Sequence, residues 1–167
     1  MTNRPKKRNV RVLTHALLLS ELAYDKATGE FTWLKGRRAG MVAGSTTKDG
    51  IRLFVAGRQY AAHRVAWLYV TGEWPSMLVD HKNNVATDNS FANLRLATKA
   101  QNCRNQKAKT NRSGLKGVAW DASRRKWLAT IRTDSGRKSL GRFESATEAY
   151  AAYCAAADQH HGEFARV

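Results

Sequence analysis

The sequence predicts an α+β chain built as two small units in succession. A strand–loop–strand–helix segment comes first, and a three-stranded antiparallel sheet packed on one helix follows it. Three observations carry this. Around Val79–Arg104, an apolar run, an Asn-rich polar loop, a second apolar run and a polar helical stretch succeed one another. Beyond a basic, Asn/Ser/Thr-rich break, Leu115–Asp121, Lys126–Thr133 and Arg137–Phe143 are short β-like runs with tight polar interruptions, Asp134-Ser135-Gly136 among them. Ser145-Ala146-Thr147-Glu148 then has capping-box spacing, and Ala146, Ala149, Tyr150, Tyr153 and Ala157 line one stripe of the helix it opens. The boundaries read as a flexible basic tail over 1–12, a first domain over 13–107, a linker over 108–113 and a second domain over 114–167.

The elements of the first domain follow from local chemistry. Thr14 suits a helix N-cap ahead of Leu17, Leu18, Leu19 and Leu22. Asp25–Gly29 is turn chemistry, and Glu30–Trp33 reads as the strand after it. Gly36–Gly50, rich in Gly, Ser, Thr and Lys, reads as a loop. Ile51–Val55 and Gln59–Ala61 form a hairpin about Gly57, and Ala62–Val70 is a helix stopped by Gly72 and Pro75. Met77–Val79 is a strand that delivers Asp80-His81 at its end. Phe91–Leu96 returns as a strand or turn, and Thr98 caps a helix to Lys107.

Charge is the strongest compositional fact. The net charge is +16 and the isoelectric point about 10.5. Thirteen Lys and Arg face two acids between Lys99 and Arg142, and the balance turns acidic after that. Such an excess attracts polyanions. No basic amphipathic helix favours a membrane surface, and no apolar run is long enough to span a bilayer. Two cysteines without a CxxC exclude a disulfide framework and a structural zinc knot, and fit a reducing, cytoplasmic setting.

Asp80, His81, Asn93 and Asn102 are the residues that carry chemistry. Phosphodiester cleavage needs an activated water, charge relief on the phosphate and help for the leaving oxygen. A hard divalent ion takes oxygen ligands, which Asp80 and Asn102 offer. A neutral imidazole at His81 accepts a proton near pH 7, and Asn93 is placed to aim it. Each signal alone also has a plain reading: a chance Asp-His pair, a structural His, a turn Asn, a solvated helix Asn. His63 and Arg64, on a largely apolar helix, suit a structural role or a phosphate contact. His160-His161 suit the C-terminal end of a helix dipole.

The stretch VDHKNN…DNSFANLRLATKAQNCRNQK resembles the motif of HNH endonucleases. It is most similar to the variant with Asn in place of the last His, found among phage-type homing endonucleases. AAHRVAWLYVTGEWP and LLLSELAYDKATGEFTWL share the likeness. The resemblance implies a ββα-metal fold, one divalent ion (Mg²⁺ or Mn²⁺) on Asp80 and Asn102, His81 as general base and Asn93 as its orienting residue. Many relatives carry Gly where this chain has Asn83-Asn84, a position Asn tolerates.

The C-terminal stretch from Ser113 resembles the APETALA/ethylene-response-factor DNA-binding domain, which reads the major groove with a three-stranded sheet. By that likeness Lys116, Trp120, Lys126, Arg132 and Lys138 face double-stranded DNA, joined by Arg104, Lys107, Lys109 and Arg112 around the linker. Ala119 and Ser139 depart from the family's Arg and aromatic, which implies a different sequence preference. The expectation is a metal-dependent DNA endonuclease, monomer or homodimer, of phage or mobile-element origin. The alternative is a DNA-binding regulator on an inactive nuclease fold.

Overall fold

The computed structural model describes residues 12–105 and 112–165. It is a mixed α/β structure of small antiparallel sheets with four α-helices among those residues. Contacts divide the chain into two compact units, Met1–Ala97 and Thr98–Val167.

In the first unit, helix α1 (His15–Glu21) starts where Thr14 Oγ1 accepts the Leu17 amide at 3.2 Å. It runs directly into strand β1 (Leu22–Tyr24), which pairs with β2 (Phe31–Trp33), and β2 pairs in turn with β3 (Val42–Ala43). A second sheet joins β4 (Ser45–Thr47), β5 (Gly50–Val55) and β6 (Arg58–Ala61). The β5–β6 turn uses Ala56 and Gly57, both at positive φ, as a tight hairpin requires. The stretch read as a loop, Gly36–Gly50, thus holds a 3₁₀ turn and two short strands. They are edge strands of two and three residues, too short to show an alternation. Helix α2 (Ala62–Thr71) ends on Gly72 in the left-handed region. It buries Val65, Ala66 and Leu68 with Leu18, Leu22, Phe31, Leu53 and Val79 in one core.

Strands β7 (Leu78–His81) and β8 (Leu94–Ala97) form an antiparallel pair with Asp80 opposite Arg95 and His81 opposite Leu94. The loop between them is tied to the β1–β2 turn. Phe91 N–H donates to Lys26 O at 2.9 Å, and Tyr24 Oη–H donates to Asn89 O at 2.6 Å. Gly29, at φ +80°, lies so close that a Cβ there would sit 2.3 Å from the Asn89 carbonyl carbon and the Ser90 nitrogen. Gly29→Ala is therefore expected to cost at least about 2 kcal/mol, from left-handed strain plus a backbone collision. A urea midpoint equal to wild type would contradict that packing.

In the second unit, α3 (Lys99–Asn105) opens with a capping box. Gln101 N–H donates to Thr98 Oγ1 at 3.2 Å and Thr98 N–H to Gln101 Oε1 at 2.8 Å. Contacts group this helix with the C-terminal sheet, whereas the sequence reading placed it in the first domain. Two interactions bind it there: Arg104 pairs with Asp134, and Lys116 Nζ donates to the Arg104 carbonyl. The sheet has the order β11 (Gly136–Phe143), β10 (Lys126–Thr133), β9 (Val118–Asp121). Helix α4 (Ala146–His161) begins with the Ser145/Glu148 capping box and lays Ala149, Tyr153 and Ala157 against Val118, Ala129 and Ile131.

Candidate functional site

The β7–β8 pair places Asp80 and His81 on opposite faces, as strand alternation demands. Asp80 turns inward. Its side chain is 7% exposed, and Arg95, directly across the pair, donates from Nε to Oδ2 at 3.0 Å, with Nη2 also 3.0 Å from that oxygen. The two form a buried, charge-assisted pair.

His81 turns the other way, toward Asn89 and His63 among others. Its Nε2 lies 3.1 Å from Oδ1 of Asn89, a residue with no solvent exposure. Asn89 Nδ2 donates to Thr87 O at 3.3 Å, which fixes Oδ1 as the acceptor toward the ring. Nε2 therefore carries the hydrogen, and the basic lone pair falls on Nδ1. The His63 ring stands edge-on to that of His81, with centroids 5.0 Å apart and planes at 79°. Burial, helped by His81, Arg64 and Arg52, pushes His63 down to about 4, so it is neutral at pH 7.

The side-chain hydrogen bonds of Asn93 go to Asn83 and Asp88. Its Oδ1 accepts the Asn83 amide at 3.0 Å, its Nδ2 donates to Asn83 Oδ1 at 3.0 Å and to Asp88 O at 2.8 Å, and its carbonyl accepts Lys82 N–H at 2.9 Å. It closes the loop that follows His81. Asn84 takes φ +59° in that loop, the left-handed geometry for which Gly is the usual choice. Sequence reasoning missed Asn89. The available signal was an Asn in a turn eight residues past the His, indistinguishable on paper from Asn83 or Asn84.

Asn102 is half-buried on α3 in the second unit, its amide donating to Thr98 O at 2.9 Å. The ligand pair of the sequence reading thus draws one residue from each unit. Its donor chemistry, a carboxylate and an amide oxygen, fits a hard divalent ion. The fit has one tension: Asp80 already shares its charge with Arg95.

The C-terminal sheet sorts the expected DNA contacts by face. Ala129 and Ile131 point to α4, so Leu128, Thr130 and Arg132 point away. Arg132 is exposed and stands opposite exposed Arg137 in register. Three expectations need correction. Trp120 lies opposite Trp127, whose ring meets it at 5.1 Å between centroids, and Trp127 packs on the α4 side. Lys138 lies opposite buried Ile131, on that same side. The register running from Thr133↔Gly136 sets it there, and Leu140, two residues on, packs against the same helix-side core. Lys116 precedes β9, and its ammonium serves the carboxyl end of α3. Lys126 is on the outward side, with Nζ 2.7 Å from Glu144. Arg104 is paired with Asp134, and Arg112 is exposed; Lys107 and Lys109 lie outside the described residues.

Residues 60–104 match the family model described as HNH endonuclease. They span α2, the β7–β8 pair and nearly all of α3, a ββα order of elements. The chain belongs to the same family as Protein 3.8 of Escherichia phage T7, to which it is 33% identical over 106 residues, 62% of this chain and 87% of the phage protein. No solved structure gives a significant match.

Proposed function

We propose that the chain is a metal-dependent DNA endonuclease that hydrolyses phosphodiester bonds, acting in the cytoplasm of a phage-infected host. The observation that carries this is the His81 imidazole, presented at a strand end within the HNH segment with Nε2 3.1 Å from Asn89 Oδ1. In this reading Nδ1 takes a proton from the attacking water. Asp80 and Asn102 would hold one ion, Mg²⁺ or Mn²⁺. Bound there, it supplies charge relief for the scissile phosphate and the departing 3′ oxygen. Asn93 keeps the loop closed so that the ring's aim is kept.

For the C-terminal unit the proposal is a sheet-face DNA reader of the APETALA/ethylene-response-factor kind, with Arg132 at its centre and Arg137 and Arg142 beside it. Like charges directly opposite on a strand pair repel one another, and a polyanion across the face relieves that. Arg142 is the more neutralised, since Asp121 accepts from its Nε at 2.8 Å and is thereby held below the usual carboxylate range. No described helix is long and apolar enough to cross a membrane.

A second reading is a DNA-binding regulator on an inactive nuclease fold. The Asp80–Arg95 pair favours it, because a carboxylate already neutralised is a poorer cation ligand. Supercoiled plasmid incubated with purified protein separates the two. Nicked or linear product that requires Mg²⁺ or Mn²⁺ and vanishes with EDTA is expected. Binding without metal-dependent product would leave the regulator reading. Affinity is expected to fall steeply between low and moderate salt, as phosphate neutralisation requires, and a flat response would contradict the basic-face argument.

A further inference from the structure

The family motif leaves one imidazole without a task. His63 is the second residue of α2, at the end of the chain's best-buried helix, and its ring is the neighbour of the residue assigned as base. We propose that His63 is a positioning residue. Its ring, set edge-on to His81, fixes the plane of that imidazole while Asn89 fixes one of its nitrogens. This rests on His81 acting as the general base.

The need for two restraints follows from side-chain mechanics. The second torsion of a histidine is broad, so a single hydrogen bond at Nε2 leaves the ring free to swing about its attachment. A swing moves Nδ1 away from the attacking water while hardly lengthening the bond to Asn89. A ring packed at 79° to the first blocks that motion. His63 is suited to the task because its backbone is held by a helix whose Ala62, Val65 and Ala66 are buried. It also stays uncharged at working pH, pushed down to about 4, so it adds no second cation beside His81 when that ring is protonated. The nearby His81, Arg64 and Arg52 contribute to this. Sequence alone left His63 between a structural role and a phosphate contact. The ring geometry selects a third use.

The test compares His63→Ala, which removes the ring, with His63→Phe, which keeps an aromatic edge but no nitrogen. Two readouts are taken on full-length protein: single-turnover plasmid cleavage with Mg²⁺, and ¹⁵N shifts of the His81 ring without metal at fixed pH. Loss of positioning is expected to lower the cleavage rate of His63→Ala by about 10- to 100-fold with little change in DNA affinity. In that variant the His81 ring nitrogens should move from a single tautomer toward an average. His63→Phe should recover most of both. Equal damage from Phe and Ala, or an affinity loss with unchanged His81 shifts, would overturn the proposal in favour of a direct phosphate contact. Should Ala unfold the protein, His63→Leu supplies the bulk without the aromatic edge. If wild type itself never cleaves, the endonuclease reading fails, and the ring shifts alone then decide whether His63 orders His81.

Discussion

His81→Ala is expected to abolish metal-dependent cleavage, with a rate loss on the order of 10²–10⁴, while DNA affinity stays near wild type. His81 sits at the last position of β7, half-buried, and the Leu94 opposite it is part of the core on a neighbouring strand. Removing its ring leaves the Asp80–Arg95 pair and the Asn93-centred loop bonds in place, since none of them uses the imidazole. Asn89 loses one partner but keeps Tyr24 on its carbonyl and Thr87 on its amide. The variant should therefore fold and bind. Affinity and cleavage are measured on the same substrate, the first by anisotropy in EDTA, the second in Mg²⁺. A parallel loss of both would make His81 a structural residue. Unchanged cleavage would mean that water is activated by another group, with His63 the first suspect by position.

How much of this could be read beforehand depends on the range of the forces involved. Capping at Thr14 and Ser145, the β5–β6 turn, and the β10 and β11 runs depend on neighbours within a few residues, and the sequence displays them. The Asp80-His81 pair at a strand end was legible for the same reason. What escaped was set by distant partners. Asn89 is buried because Tyr24 and Gly29, some sixty residues earlier, close over it. Arg95 looks like one more surface cation in a very basic chain, and its burial follows from a strand register. Similarity assigns Trp120 and Lys138 to the DNA face, whereas the pairings Trp127↔Trp120 and Ile131↔Lys138 place both on the helix side. The excess of positive charge itself hid which arginines were structural: Arg104 and Arg95 hold carboxylates, while Arg132 and Arg137 are exposed side by side.

The buried pair makes the second large prediction. Arg95→Met removes the guanidinium from a carboxylate whose side chain is 7% exposed. Breaking one side of such a pair costs about 3–5 kcal/mol, because a charge is left in a poorly solvating place. A large drop in urea midpoint at neutral pH is expected. Replacing both partners, as in Asp80→Leu with Arg95→Met, exchanges the pair for packing and should return most of the stability, yet cleavage should not return. That combination separates the carboxylate's part in the fold from its proposed part in holding an ion. The single variant offers a further check. If Asp80 is a metal ligand, relieving it of Arg95 makes a cation the natural replacement, so millimolar Mg²⁺ should raise the thermal midpoint of Arg95→Met more than that of wild type. A midpoint indifferent to Mg²⁺, together with full recovery in the double variant, would mark Asp80 as a strut of the β7–β8 pair and would shift the balance to the DNA-binding regulator.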